Sequence, residues 1–543
     1  MCRKKFIAGL TSIVGARALI GIFLLTAVMT DLCAQKPKIV IGLVVDQMRW
    51  DYLYRYRDRY GKGGFNRIMG EGFSCDNTLI NYSPTVTACG HTCIYTGSVP
   101  ALTGIMGNDW YDRYNGKIIY CTDDSTVTPI GTDRGGKMSP RNLLTTTIGD
   151  ELRMADNFKS KVIGIALKDR AAILPAGHTA NGAFWFDSET SRFVTSSYYM
   201  NELPSWVQRF NDKKNMDSYV NRDWETLYPI GTYTKSTSDD KTYEEVSGRE
   251  KRAVFPHRSG AVRATPFGDG LTLNFAKAAM EAYGLGLGDA TDFLTISLSS
   301  PDGVGHQYGP NSIEIEDTYL RLDQDLAGFF QWLDNRFGKN NYLFFLTADH
   351  GVASSPGYSI ENEMPGGAFD LSNIGKRLNE ALRERFQIDN AIESITELQI
   401  YINRELLAAH EINKNTVENY IADWMIRQPG IARVLSMESL ESAVLPSPIK
   451  VMMVNGYNAA RSGDMAIIPL PGWKAGSIQG ADHGLIYAYD THIPLLWMGW
   501  KIPHGSTNRL VGMTDIAPTL ASLLHIQMPS GCIGQPVVEI AGK

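Results

Sequence analysis

The sequence predicts an α/β fold with a mostly parallel central sheet, helices on both faces, and insertions that form a cap. Three observations predict it. Lys38–Val45 is a continuous apolar run rich in β-branched residues, and similar, largely apolar runs recur at Val162–Ala166, Phe293–Leu298, Tyr342–Leu346 and Ile493–Trp497, the pattern of strands covered on both faces. Stretches of helical period lie between them. Polar residues of catalytic type gather at the C-terminal ends of the runs, where open α/β sheets build their sites.

The first 34 residues read as a signal peptide. Arg3, Lys4 and Lys5 give a basic start, the apolar run Ala18–Thr30 is too short to span a bilayer comfortably, and Ala34 precedes a polar Gln35. A lipid anchor on Cys33 is disfavoured by the bulky Leu32 before it. Export to the periplasm or beyond is expected, and no later segment has the apolar length of a membrane helix. The mature chain keeps Cys75, Cys89, Cys93, Cys121 and Cys532, an odd number that leaves at least one thiol free or paired outside the chain. Cys89 and Cys93, four apart on a predicted helix, read as small buried hydrophobes. The formal net charge of −6, without a block of like charge, argues against a nucleic-acid surface.

One large domain is expected over 35–543, with two insertions. The stretch at about 187–284 is Tyr-, Ser- and Asp-rich with weak periodicity and reads as irregular structure over or beside the site. The second, at about 372–446, holds a helical run near Leu371–Phe386, a strand-like Leu398–Ile402, a helical Val417–Ile426 and a strand-like Ile431–Leu435, the parts of a small α/β cap. In the core, Ser312–Phe337 places Ile313, Tyr319, Leu320, Leu322, Leu326, Phe329, Phe330 and Leu333 at helical spacing, and Thr514–Asp515 opens a final helix through Leu524.

The chemistry centres on Asn81–Asn108. Pro84 sets an extended lead-in and Thr87 then meets a helix-compatible run, so its hydroxyl falls near a helix N-terminus, where an anion is favoured. Alone, such a Thr reads as a helix cap. Its company changes that reading: Asp46, Asp302, His306, Asp349, His350 and His483 are metal-ligand types, each near a strand end or in a Gly-flanked segment. Asp302-Gly-Val-Gly-His306 reads as a Gly-rich loop, and Asp349-His350 as an adjacent pair able to address different metals. Carboxylates and imidazoles without thiolates suit zinc, and two metals ~4 Å apart can hold both oxygens of an in-line displacement. Lys168 and Arg170 read as alternating on an extended Lys-Asp-Arg run, with both facing one doubly charged group. His91, within the helix after Thr87, reads as structural.

The segments IVIGLVVDQMR, NYSPTVTACGHTCIYTGSVPALTGIMGNDW, LKDRAAILPAGH, SSPDGVGHQYGPNSIEIEDTYLRLD, FFLTADHG and GADHGLIYAYDTHIPLLWMG together resemble the alkaline phosphatase superfamily. The resemblance is greatest to its Thr-nucleophile, phosphate-irrepressible (PafA-type) alkaline phosphatases. It implies one Zn2+ held by Asp302, His306 and His483, and a second held by Asp46, Asp349 and His350. It also implies Thr87 as nucleophile, with Asn108, Lys168 and Arg170 on the phosphoryl oxygens. The expected activity is a periplasmic two-zinc phosphomonoesterase working through phospho-threonine, acting as a monomer on small phosphate monoesters. A phosphodiesterase or nucleotide pyrophosphatase of the same superfamily is the alternative, and a non-catalytic phosphate-ester or glycan-binding protein on the same scaffold is a third reading. No Cys or Ser lies in the C/S-x-P-x-R context of a sulfatase.

Overall fold

The computed structural model describes residues 36–542 except 221, 247, 249 and 259, so the signal-peptide reading falls outside the described residues. Ten strands form the central sheet: β1 (Ile39–Val45), β2 (Phe73–Cys75), β3 (Pro129–Ile130), β4 (Val162–Ala166), β5 (Gly182–Asp187), β6 (Arg192–Ser196), β7 (Asp292–Leu298), β8 (Tyr342–Thr347), β9 (Leu495–Gly499) and β10 (Gly505–Thr507). Their order across the sheet is β10-β2-β9-β8-β1-β7-β4-β5-β6-β3. Every residue of β1, β4, β7 and β8 is buried, as expected of strands covered on both faces.

The sheet is mixed. Strands β8, β1, β7, β4 and β5 run parallel, which is where the expectation of a mostly parallel sheet holds. The flanks turn antiparallel at β5–β6 and β8–β9. A short connection from Asp187 to Arg192 leaves no room for a crossover, so β6 must return alongside β5. The last apolar run is offset from its predicted position, because His492–Ile493 pairs with Thr78–Leu79 in a separate small sheet before β9 begins.

Six helices position or brace the candidate site residues: α1 (Thr87–Thr96), α2 (Asp169–Ala176), α3 (Phe267–Tyr283), α4 (Ser300–Tyr308), α5 (Ile313–Phe337) and α6 (Ile516–Leu524). Helix α5 matches its predicted span, opened by the Ser312 side chain accepting from Ile315 N. Three readings are corrected. Asp302-Gly-Val-Gly-His306 is not a loop but lies on α4: its glycines serve close packing, since a Cβ on Gly303 would strike the Arg263 carbonyl and one on Gly305 the Gln47 side chain. Lys168 and Arg170 do not share an extended run, because Lys168 is the N-cap residue of α2 and Arg170 its second residue. The stretch at 187–284 is not irregular to its end. Helix α3 buries Leu271, Phe275, Ala276, Ala279 and Met280 against the core, a face diluted in sequence by its glycines and polar residues.

Over the site lies a four-stranded antiparallel sheet, ordered Ile392–Thr396, Gln399–Ile402, Met465–Pro469 and Ile431–Ser436. The third strand comes from beyond residue 446 and completes the sheet. Helices Leu371–Phe386 and Lys414–Met425 accompany it, and Leu378, Leu382, Ile400, Ile402, Val417 and Ile421 belong to an apolar cluster of its own. Among the described residues, the five cysteines are free and no helix is long and apolar enough to cross a membrane.

Candidate active site

The parallel register of β1 with β7 and β8 brings three strand ends into one line. Val45 pairs with Leu298, and Asp46 N donates to the Leu298 carbonyl at 3.0 Å, so the chain ends its strand with Asp46 buried beside the start of α4. Asp349 and His350 follow β8 in the same layer and are fully buried. Asp46, Asp349 and His350 have ligand atoms within 4.8 Å of one another. His350 Nε2 lies 3.6 Å from Asp46 Oδ1 and 3.4 Å from Asp349 Oδ2.

The second group uses helix geometry. Asp302 and His306, one turn apart on α4, face the same side, with His306 Nε2 3.1 Å from Asp302 Oδ1. His483 arrives from the segment before β9 and places Nε2 3.6 Å from the same oxygen. Asp302, His306 and His483 form the second set within 4.8 Å. The two sets abut, for the His350 and His483 rings stack at 3.6 Å between centroids.

Thr87 is the first residue of α1. Val86 holds the N-cap position with no side-chain cap bond, so capping does not account for the Thr87 hydroxyl. Its neighbour is Lys168, whose Nζ lies 3.4 Å from Thr87 Oγ1 and 2.6 Å from both Asp46 Oδ2 and Asp302 Oδ2. The ammonium thus bridges one carboxylate from each ligand set. Asn108 Oδ1 accepts from Ala88 N at 3.1 Å, tying it to the first turn of α1. Arg170 donates to Tyr120 Oη at 3.1 Å, and that hydroxyl donates to Asp169 Oδ1 at 2.7 Å. All ten residues singled out in the sequence therefore meet around one floor.

The donor set fits divalent cations. Each of the three imidazoles engages a backbone carbonyl through Nδ1, His306 with Ala481, His350 with Gly351 and His483 with Thr85. Each then presents Nε2 to the carboxylates, the orientation that metal-binding histidines receive from their outer partners. Asp46 Oδ1 and His350 Nε2 are buried with no hydrogen-bond partner, which a cation would satisfy. Burial, with His350 and His306 nearby, pushes His483 down to about 3, so it is neutral and able to coordinate. Burial and the adjacent Asp349 push Asp46 well above the usual carboxylate range, a strain that a bound cation relieves. Although burial opposes it, the charges of His306 and Lys168 hold Asp302 well below that range.

Four further residues belong to the site. Gln47, in the left-handed region at φ 67°, donates from Nε2 to Asp302 Oδ1 at 2.9 Å and from its backbone N to Asp349 Oδ1 at 3.1 Å, linking both ligand sets. His91 places Nδ1 3.2 Å from Asp349 Oδ2 and Nε2 2.8 Å from Ser297 Oγ; its structural role is to hold a ligand. Tyr120 orients Arg170. Glu397 descends from the cap onto Asn108. Only Gln47, next to Asp46, and His91, one turn after Thr87, carry a sequence signal, and in both it is mere adjacency. Above this floor a cavity of about 380 Å³ is walled by Leu371, Leu398, Pro469 and Trp473 and reaches down to Thr87, Asn108 and Arg170.

The family model for type I phosphodiesterase / nucleotide pyrophosphatase matches residues 40–484. The chain is 50% identical over 520 residues to alkaline phosphatase PafA of Elizabethkingia meningoseptica, covering 94% of this chain and 95% of that one. It is 48% identical over 514 residues to alkaline phosphatase PhoV of Synechococcus elongatus, covering 93% of each. The crystal structure of wild-type alkaline phosphatase PafA superposes with a TM-score of 0.91 at 50% identity, over 93% of this chain and 99% of that one. The chain belongs to the type I phosphodiesterase / nucleotide pyrophosphatase family and, within the alkaline phosphatase superfamily, to its PafA-type alkaline phosphatases.

Proposed function

We propose that the protein is an exported two-zinc phosphomonoesterase that turns over through a phospho-threonine. The observation that carries this reading is the position of Thr87 Oγ1 beside Lys168, whose ammonium bridges Asp46 and Asp302 from the two ligand sets. The names of the relatives, alkaline phosphatases at about half identity, support it. The basic and apolar pattern of the first 34 residues supports export to the periplasm.

Asp302, His306 and His483 would hold one Zn2+ and Asp46, Asp349 and His350 the other. When bound, the ions supply Lewis acidity that lowers the pKa of the attacking hydroxyl and steadies the leaving oxygen. The chain's own groups do the rest. Thr87 Oγ gives up its proton to water and attacks phosphorus as the bond to the leaving alcohol oxygen breaks, and that oxygen takes a proton back from water. Water then attacks the Thr87 phosphate ester, the Oγ–P bond breaks, and orthophosphate and the free hydroxyl return. Lys168, Arg170 and the Asn108 amide meet the charge on the non-bridging oxygens, a point charge beside a planar fork. A monoester dianion suits this pair of cations better than a diester, which has one less charge and one more substituent.

The family description favours a second reading, a phosphodiesterase or nucleotide pyrophosphatase. Catalytic efficiency on an aryl phosphomonoester and on the matching diester, with metal content measured on the same preparation, separates the two. We expect the monoester to be preferred by orders of magnitude with close to two zinc equivalents bound; a diester preference would overturn the reading.

A further inference from the structure

The cap touches the phosphoryl-oxygen groups through one acidic side chain. The turn between strands Ile392–Thr396 and Gln399–Ile402 consists of Glu397 and Leu398, both in the left-handed region at φ 49° and 60°. Side-chain-bearing residues pay a strain penalty there that glycine would avoid. The turn sends the Glu397 carboxylate down to Gly107–Asp109, at the end of the loop that precedes the strand Asp109–Asp112. Oε1 accepts from Asn108 N at 2.9 Å and from Asp109 N at 3.2 Å. Oε2 is buried without a hydrogen-bond partner and packs so closely on Gly107 that a Cβ there would collide with it.

The consequence runs through Asn108. Its side chain is tied on one side to Ala88 N, and its backbone is tied on the other to Glu397. Between these two restraints little freedom remains for the amide that faces the cavity shared by Thr87, Arg170, Asn108 and Glu397. Asp109's negative charge and Arg170's positive charge also act on the carboxylate. Glu397 itself stands off the reacting groups, because its hydrogen bonds end on backbone N–H.

We infer that Glu397 is a positioning residue through which the cap fixes Asn108 for the phosphoryl oxygens, so that cap and catalytic floor act as one unit. The inference rests on the proposed role of Asn108 as a ligand of those oxygens. Two backbone hydrogen bonds to a buried carboxylate set the size of the effect.

The test is a double-mutant cycle on the zinc-loaded full chain, with an aryl phosphomonoester as probe. Glu397→Ala is expected to lower kcat/KM by roughly ten- to a hundredfold. Glu397→Gln, whose amide oxygen still accepts from both N–H groups, should stay within about threefold of the parent. In an Asn108→Ala background, Glu397→Ala should cost less than about threefold. If Glu397→Ala fails to fold, Glu397→Asp takes its place, since the shorter side chain keeps the charge and cannot reach both N–H groups. Equal losses in both backgrounds, or a Gln variant as impaired as Ala, would overturn the inference. A parent inactive on monoesters would instead overturn the proposed function, and the cycle is then read on the diester.

Discussion

Removing Lys168 and Arg170 together separates charge recognition of a monoester from everything else the site does. Lys168 Nζ reaches Thr87 Oγ1 at 3.4 Å and the two carboxylates at 2.6 Å each, so it stands where a phosphoryl group on Thr87 would come. Arg170 is held ready by Tyr120, which Asp169 holds in turn, so little side-chain entropy remains to be lost on binding. A charge-assisted contact is worth roughly 1.5–3 kcal/mol, and two amount to about 3–6 kcal/mol, a fall of about a hundredfold to ten-thousandfold in rate. Lys168→Ala also strips Asp46 and Asp302 of their cation, but that loss falls on every substrate alike. The diagnostic quantity is therefore the ratio of kcat/KM on an aryl phosphomonoester to that on the matching diester, for parent and double variant at matched zinc content and pH. The ratio should collapse chiefly through the monoester rate. An equal fall on both esters would refute the argument, because the pair would then serve shared binding or structure.

Chelation should abolish activity and zinc should restore it, with close to two equivalents recovered by elemental analysis; full activity in a metal-free preparation would refute the metal reading. Thr87→Ala should lower turnover by several orders of magnitude with zinc content and thermal unfolding unchanged, while Thr87→Ser retains activity because a hydroxyl survives. A radiolabelled phosphoryl group trapped on the parent and absent from the Ala variant would identify the acceptor. Glu397 gives a stability prediction. Burial, with Asp109 beside it, raises its carboxyl from 4.5 to about 7. Between those values the folded chain keeps a proton that the unfolded chain releases, so the parent loses stability as pH rises through that window and stays penalised above it. Glu397→Gln does not titrate, and its stability relative to the parent should climb by on the order of 1–3 kcal/mol from pH 4.5 to about 7 and then level off. Parallel denaturant-unfolding curves at pH 5 and pH 8 would count against it.

What the sequence determined by itself is the scaffold's strands and the residue types that gather at their ends. Short continuous apolar runs such as IVIGLVV and YLFFLT read as buried strands because of their length and their β-branched or aromatic content, and both are buried strands. The Asp and His residues at their ends declare their chemistry by residue type, whatever the geometry around them. Tertiary structure decided how those groups are aimed. Lys168 turned out to hold the N-cap position of a helix, and Asp302 and His306 to share another, where close packing on Gly303 and Gly305 outweighed the flexibility those glycines suggested. The antiparallel flanks of the sheet follow from which strands meet, a fact that side-chain periodicity does not encode. Gln47, though it adjoins Asp46 in the chain, gave no sign that it would bridge both ligand sets. Glu397 is 289 positions from the Asn108 it holds, and Tyr120 is 50 from Arg170. Contacts of that kind leave no local pattern, because hydrogen-bond geometry between distant segments is set by the packing of the whole core and cap rather than by the residues on either side.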